Sequence, residues 1–166
     1  LALFHSEAAA FTSPTLTDTE SVNSKDSSPR GLAFNNDGTK FYITSRSNEE
    51  INVYDLTTAW DLTTAVHKCA EPHWTTNNAN ARHIAFSADG TFMFIVRGGT
   101  TGTDYVYRYL LSEPFDVCDG YTSGSGANSS YTLGGTNFIN VNSEQTKSNG
   151  LAFSPDGRNM YITGTE

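Results

Sequence analysis

The chain has 166 residues, ten Lys+Arg against eighteen Asp+Glu, a formal charge of −8 and two cysteines. The acidic balance argues against nonspecific binding to nucleic acid or to an anionic membrane. No apolar run comes near the roughly eighteen residues that span a bilayer, so no membrane insertion is expected.

Taken in order, residues 1–30 open on Leu1-Ala2-Leu3-Phe4, an apolar strand, followed by Phe11 and a polar stretch from Thr17 to Pro29. That stretch reads as a further strand and a link inward. Gly31-Leu32-Ala33-Phe34 is a short apolar run, as expected of a strand buried on both faces. Asn35-Asn36-Asp37-Gly38 is a turn, because Asp bonds the backbone beyond it and Gly accepts positive φ. Phe41-Tyr42-Ile43-Thr44 is the returning strand and Ile51-Asn52-Val53-Tyr54 a third; a fourth is predicted from Ala65 to Trp74, after the aromatic anchor Trp60.

The same parts recur. His83-Ile84-Ala85-Phe86, the turn Ser87-Ala88-Asp89-Gly90, Met93-Phe94-Ile95-Val96 and Val106-Tyr107-Arg108-Tyr109 repeat the first three strands, with Phe115 where Trp60 stood. Gly150-Leu151-Ala152-Phe153, Ser154-Pro155-Asp156-Gly157 and Met160-Tyr161-Ile162-Thr163 begin a third copy, which stops halfway. Leu1–Phe4 aligns with Ile51–Tyr54, and Phe11 falls one residue late of the Trp60 place. The units are therefore 31–82, 83–149 (with loop insertions) and a split one, 150–166 with 1–30.

Four short antiparallel strands at a period of about 40–50 residues mark a β-propeller blade, so the fold class is all-β with blades of four antiparallel strands. Three blades are fewer than a ring needs. The chain reads either as an excerpt of a longer one or as half of a head-to-tail homodimer closing a six-bladed ring. The pattern G-L-A-F-S-x-D-G-x-x-x-Y-I-T … V-Y-x-Y-x-L-S-x-P-W-D-L resembles propeller repeats of secreted bacterial and phage virion-associated proteins, akin to the YVTN and WD types. That resemblance implies a non-catalytic binding and assembly module, extracellular, cell-surface or virion-borne, whose partners are other subunits or further blades. Two alternatives stand beside it: a lectin-like propeller for sugars or acidic glycans, and a fragment of a propeller enzyme whose active site lies outside this chain.

The resemblance also implies where a site would lie. The link into each first strand and the loop after each second strand share one face, and there stand Arg30, Arg46, Arg82, His83, Arg97 and Asn149. Guanidinium groups hold carboxylate, sulfate or phosphate in bidentate fashion, so this is a candidate anion or glycan face; the competing account pairs each Arg with a local acid such as Glu49, Glu50 or Asp104. Trp60, Phe115 and Phe11 are read as plugs between blades, or as sugar-stacking rings. Cys69 and Cys118 are open to a blade-to-blade disulfide or to two separate thiols. The Asp-Gly turns carry one acid each, and His67 and His73 flank Cys69 without the spacing of a ligand set, so neither a metal nor a cofactor is expected. No nucleophile elbow, H-E-x-x-H, P-loop or Rossmann fingerprint is present. Propeller enzymes such as lactonases carry metal-binding acids at the channel mouth, and a basic mouth counts against that reading.

Overall fold

A computed structural model describes residues 2–5, 15–46, 48–72, 80–98, 104–118, 131–132, 138–144 and 147–165. Its strands are, in order, β1 (Ala2–His5), β2 (Thr15–Thr19), β3 (Pro29–Phe34), β4 (Lys40–Ser45), β5 (Glu50–Leu56), β6 (Ala65–Pro72), β7 (Ala81–Phe86), β8 (Phe92–Arg97), β9 (Tyr105–Leu111), β10 (Tyr131–Thr132), β11 (Phe138–Asn140), β12 (Lys147–Phe153) and β13 (Met160–Thr165). β3-β4-β5-β6 form one antiparallel sheet, the first blade. The fourth strand is described as far as Pro72; its expected end at Trp74, like His73, lies outside the described residues. β7-β8-β9 form the second blade, whose outer place is taken in two pieces, β10 against Leu110–Leu111 and β11 against Tyr105–Tyr107.

β12 pairs with β13 alone, and β1 with β2 alone. β2 packs near the 3-10 turn Leu62–Thr64 of the first blade, whereas β12 packs on β7 and β8 of the second. The two half-blades therefore flank the whole blades on opposite sides.

The core lies between blades. Along β4, successive side chains point to opposite faces, and both are covered. Phe41 and Ile43 pack with Tyr54, Leu56, Leu62 and Val22 on one side. Tyr42 faces the second blade with Ile51 and Val53, against Ile84, Met93, Ile95, Tyr109 and Val117. A smaller cluster of Val96, Val106, Val141 and Leu151 joins the second blade to β12. Burial on both faces explains why β4 reads as a continuous apolar run; β3, expected to be buried on both faces, instead leaves Leu32 exposed. Beside this cluster, an open apolar groove of about 320 Å³ between the second blade and the two-stranded β12-β13 sheet is lined by Phe94, Val106, Arg108, Phe138, Ile139, Phe153 and Met160.

Each hairpin turn follows from its residues. Gly38, Gly90 and Gly157 all take positive φ, at 71°, 74° and 69°. In each the preceding Asp binds its own loop: Asp37 Oδ1 accepts from Thr39, Asp89 Oδ1 from Ser87 and Thr91, Asp156 Oδ1 from Ser154 and Arg158. Those bonds, led in each case by the side-chain hydroxyl, hold the three carboxyls below the ordinary aspartate value.

Candidate active site on the inner strands

The innermost strands β3, β7 and β12 lie side by side. A Cβ on Gly31 would stand 2.7 Å from the Cα of His83, so β3 approaches β7 to within what a hydrogen allows. All three inner strands carry a bulge at the same repeat position. The pairs Pro29↔Ser45, Ala81↔Arg97 and Ser148↔Gly164 precede a register shift, and the residues that follow are Arg30, Arg82 and Asn149. A bulge re-aims the extra residue's side chain, and bulges recur beside active sites.

Arg82 is the centre of the cluster. Its Nε donates to the Gly98 carbonyl at 3.0 Å and its Nη1 to Asn149 Oδ1 at 2.8 Å, across to the next blade. Burial lowers the guanidinium pKa, and the positive charges of Arg30 and Arg46 lower it further; Asp104 opposes them. Three cations thus crowd one mouth. Arg30 and Arg46 are exposed, and among the described residues the ion pairs are Lys40–Asp55, Lys68–Asp116 and Arg158–Asp156, none at the mouth.

Asp104 lies beneath, fully buried. Its Oδ1 accepts the Ser148 N–H at 2.6 Å, and its own N–H donates to Asn142 Oδ1 at 2.6 Å. Gly98 is flush against it: a Cβ there would lie 2.4 Å from Asp104 Oδ1 and 2.6 Å from the Ser148 carbonyl. One carboxylate therefore ties the strand carrying Asn149 to the loop whose carbonyl holds Arg82. The sequence reading named Asp104 only as a local partner for an arginine; its deep burial appears only in three dimensions.

The structure brings Arg30, Arg46, Arg82 and Asn149 together and sets Arg97 apart. Arg97 pairs across from Ala81, one register position before the place of Arg46, and its Nη1 donates to the Tyr107 hydroxyl at 3.3 Å. His83 turns toward the β12-β13 sheet, where burial lowers its pKa against a hydrogen bond to the Leu151 backbone. The repeated aromatics sit far from this face in the repeat. Trp60 and Phe115 share positive φ, at 65° and 60°, and their rings lie over Gly38 and Gly90 of their own blades. Phe11 lies outside the described residues. Cys69 and Cys118 are joined, with Cα atoms 6.1 Å apart, and staple the first blade to the second.

The sequence model of the lactonase family, described as a seven-bladed β-propeller, matches residues 7–113. The chain belongs to this family. Among solved structures it is similar to a candidate 6-phosphogluconolactonase of Bacteroides fragilis, at 18% identity and a TM-score of 0.52, covering 82% of this chain and 32% of that one. It is also similar to a candidate 6-phosphogluconolactonase of Bacteroides uniformis, at 14% identity and a TM-score of 0.55, covering 98% and 40%. A protein of unknown function from Desulfotomaculum acetoxidans gives 14% and 0.53, covering 97% and 43%. At these identities the likeness speaks for the fold, and this lactonase-family chain spans well under half the length of each. No curated protein matches it.

The family match corrects the sequence reading on three points. The propeller stands, but it is of the lactonase kind, not the YVTN or WD kind of secreted and phage proteins. A family named for an enzyme activity overturns the non-catalytic module, the lectin-like alternative and the statement that the chain is no enzyme. The comparisons likewise lend nothing to a virion, extracellular or carbohydrate-binding setting. The basic mouth was expected to count against a lactonase, and the family match runs against that expectation.

Proposed function

We propose that this chain supplies the anion-holding part of a lactone-hydrolysing site in a larger propeller, and that its substrate is a lactone bearing phosphate or carboxylate. The observation that carries this is the convergence of Arg30, Arg46 and Arg82 on one mouth of a protein of net charge −8. In lactone hydrolysis water adds to the carbonyl carbon, the carbonyl oxygen becomes an oxyanion, and the ring C–O bond breaks to give a hydroxy acid. Positive charge fixed beforehand draws an anionic substrate to the mouth and holds its phosphate or carboxylate while the ring opens. Arg82 is the best-positioned of the three, because Gly98 and Asn149 fix its fork while leaving further N–H donors for a ligand. The candidate 6-phosphogluconolactonases among the similar structures support a sugar lactone with a phosphate.

The test uses the full-length protein and proton release at constant pH, with 6-phosphogluconolactone and neutral gluconolactone as substrates. Arg82→Ala is expected to raise KM for the phosphorylated lactone about tenfold or more, the loss of one charge-assisted bond, and to leave the neutral lactone nearly unchanged. Equal loss on both substrates, or no hydrolysis above the spontaneous rate, would overturn the reading.

A further inference from the structure

The joint stapled by Cys69 and Cys118 contains a third donor. Period-two alternation puts Cys69 and Glu71 on one face of β6, and their partners in register, Val53 and Ile51, belong to the core that faces the second blade. Glu71 is fully buried there. Cys118 comes from the second blade, just after Val117, and its N–H is held by Asp116 Oδ1 at 3.1 Å. The two sulfurs and a carboxylate oxygen of Glu71 all lie within 4.8 Å of one another.

We propose that this joint, when reduced, is a binding site for a soft divalent cation of the zinc type, with Cys69 Sγ, Cys118 Sγ and the Glu71 carboxylate as ligands. Thiolates favour zinc over calcium or magnesium, and two sulfurs with one carboxylate leave the fourth tetrahedral position to water. The geometry allows it. Two sulfurs on one zinc ion, each at about 2.3 Å, stand about 3.8 Å apart, and Cα atoms 6.1 Å apart reach that spacing by side-chain rotation once the S–S bond is gone. The chemistry balances. A dithiol reductant gives two electrons and two protons to the disulfide, yielding two thiols and its own disulfide; the metal ion then displaces the two thiol protons. The Lys68–Asp116 ion pair at 3.7 Å crosses the same joint and does not depend on the sulfurs. The joint thus has two closed forms, one covalent and one metal-bridged.

The full chain is reduced with a water-soluble phosphine, which takes up the oxygen of one water as the disulfide becomes two thiols. It is then desalted without oxygen and titrated with Co²⁺. The expected result is one Co²⁺ per chain, with thiolate-to-cobalt charge transfer and the strong visible bands of a tetrahedral ion, discharged by Zn²⁺. The oxidised chain and Cys118→Ser should show none of these, and Glu71→Gln should bind at least about tenfold more weakly. Near-ultraviolet circular dichroism reports the fold throughout. If reduction melts the chain, Zn²⁺ must restore the native spectrum, less readily in Glu71→Gln, because binding then drives folding. No cobalt bands in the folded reduced chain, no recovery with Zn²⁺ in a melted one, or undiminished binding by Glu71→Gln overturns the proposal.

Discussion

The ring of Trp60 lies directly on Gly38: a Cβ at Gly38 would fall 2.1 Å from Trp60 Cε2, and the Trp60 N–H donates to the Gly38 carbonyl at 2.9 Å. Phe115 repeats this on Gly90, with 2.2 Å and 3.0 Å. Each aromatic closes the turn of its own blade and packs on that blade's inner strand, Trp60 on Phe34 and Phe115 on Phe86. Phe115 also packs against the core shared with the first blade. The Tyr42 ring meets Phe86, and its hydroxyl donates to the Phe115 carbonyl, so burial holds the Tyr42 pKa far above the ordinary tyrosine value.

A glycine series separates backbone strain from this ring contact. Gly157 has the same positive φ with nothing within 4 Å of a Cβ. Gly157→Ala should cost only the left-handed penalty, about 1–2 kcal/mol. Gly38→Ala and Gly90→Ala add displacement of the ring and should cost about 2–5 kcal/mol. Urea unfolding midpoints decide; three equal costs would refute the ring contact.

The staple closes a loop of 49 residues in sequence separation. Chain entropy assigns about 4 kcal/mol to such a closure, through the unfolded state. The double variant Cys69→Ser, Cys118→Ser should lose up to that amount in urea while keeping the oxidised chain's near-ultraviolet spectrum. A loss below about 1 kcal/mol would mean that the inter-blade core alone holds the blades together.

Acid should weaken the fold before the carboxylates titrate. Burial is the first cause lowering the pKa of both His67 and His83; the Lys25 charge adds to it at His67 while Glu50 opposes it, and the Leu151 backbone opposes it at His83. A group whose folded pKa is depressed contributes stability that is present above its unfolded value, about 6.5 for histidine, and lost as pH falls through the folded one. Thermal midpoints should therefore fall from pH 7 toward pH 5. His83→Gln should flatten that slope, and an unchanged slope would remove His83 from the account.

Asp104 tests how the mouth is held. Asp104→Ala strands the buried Ser148 N–H and should cost about 1–3 kcal/mol. Gly98→Ala meets both Asp104 Oδ1 and the Ser148 carbonyl and should cost a similar amount by overpacking. Because the two act on one contact, the double variant should cost less than the sum. Full additivity, measured in the same urea series, would show that they are independent.

The sequence determined the blades. Short apolar strands, Asp-Gly turns and aromatics in register are local signals, and a repeat states each of them more than once, so the hairpins of Gly38, Gly90 and Gly157 were legible without coordinates. The resemblance to propeller repeats also placed Arg30, Arg46, Arg82, His83, Arg97 and Asn149 on one face. Only the tertiary structure decided which of these meet. Arg97, one register place away, turns to Tyr107, because alternation sends neighbours to opposite faces. Asp104 and Glu71 look like ordinary polar residues in a row of letters. Their burial comes from strands of the next blade, far along the chain, and contacts between blades leave no period in the sequence to read.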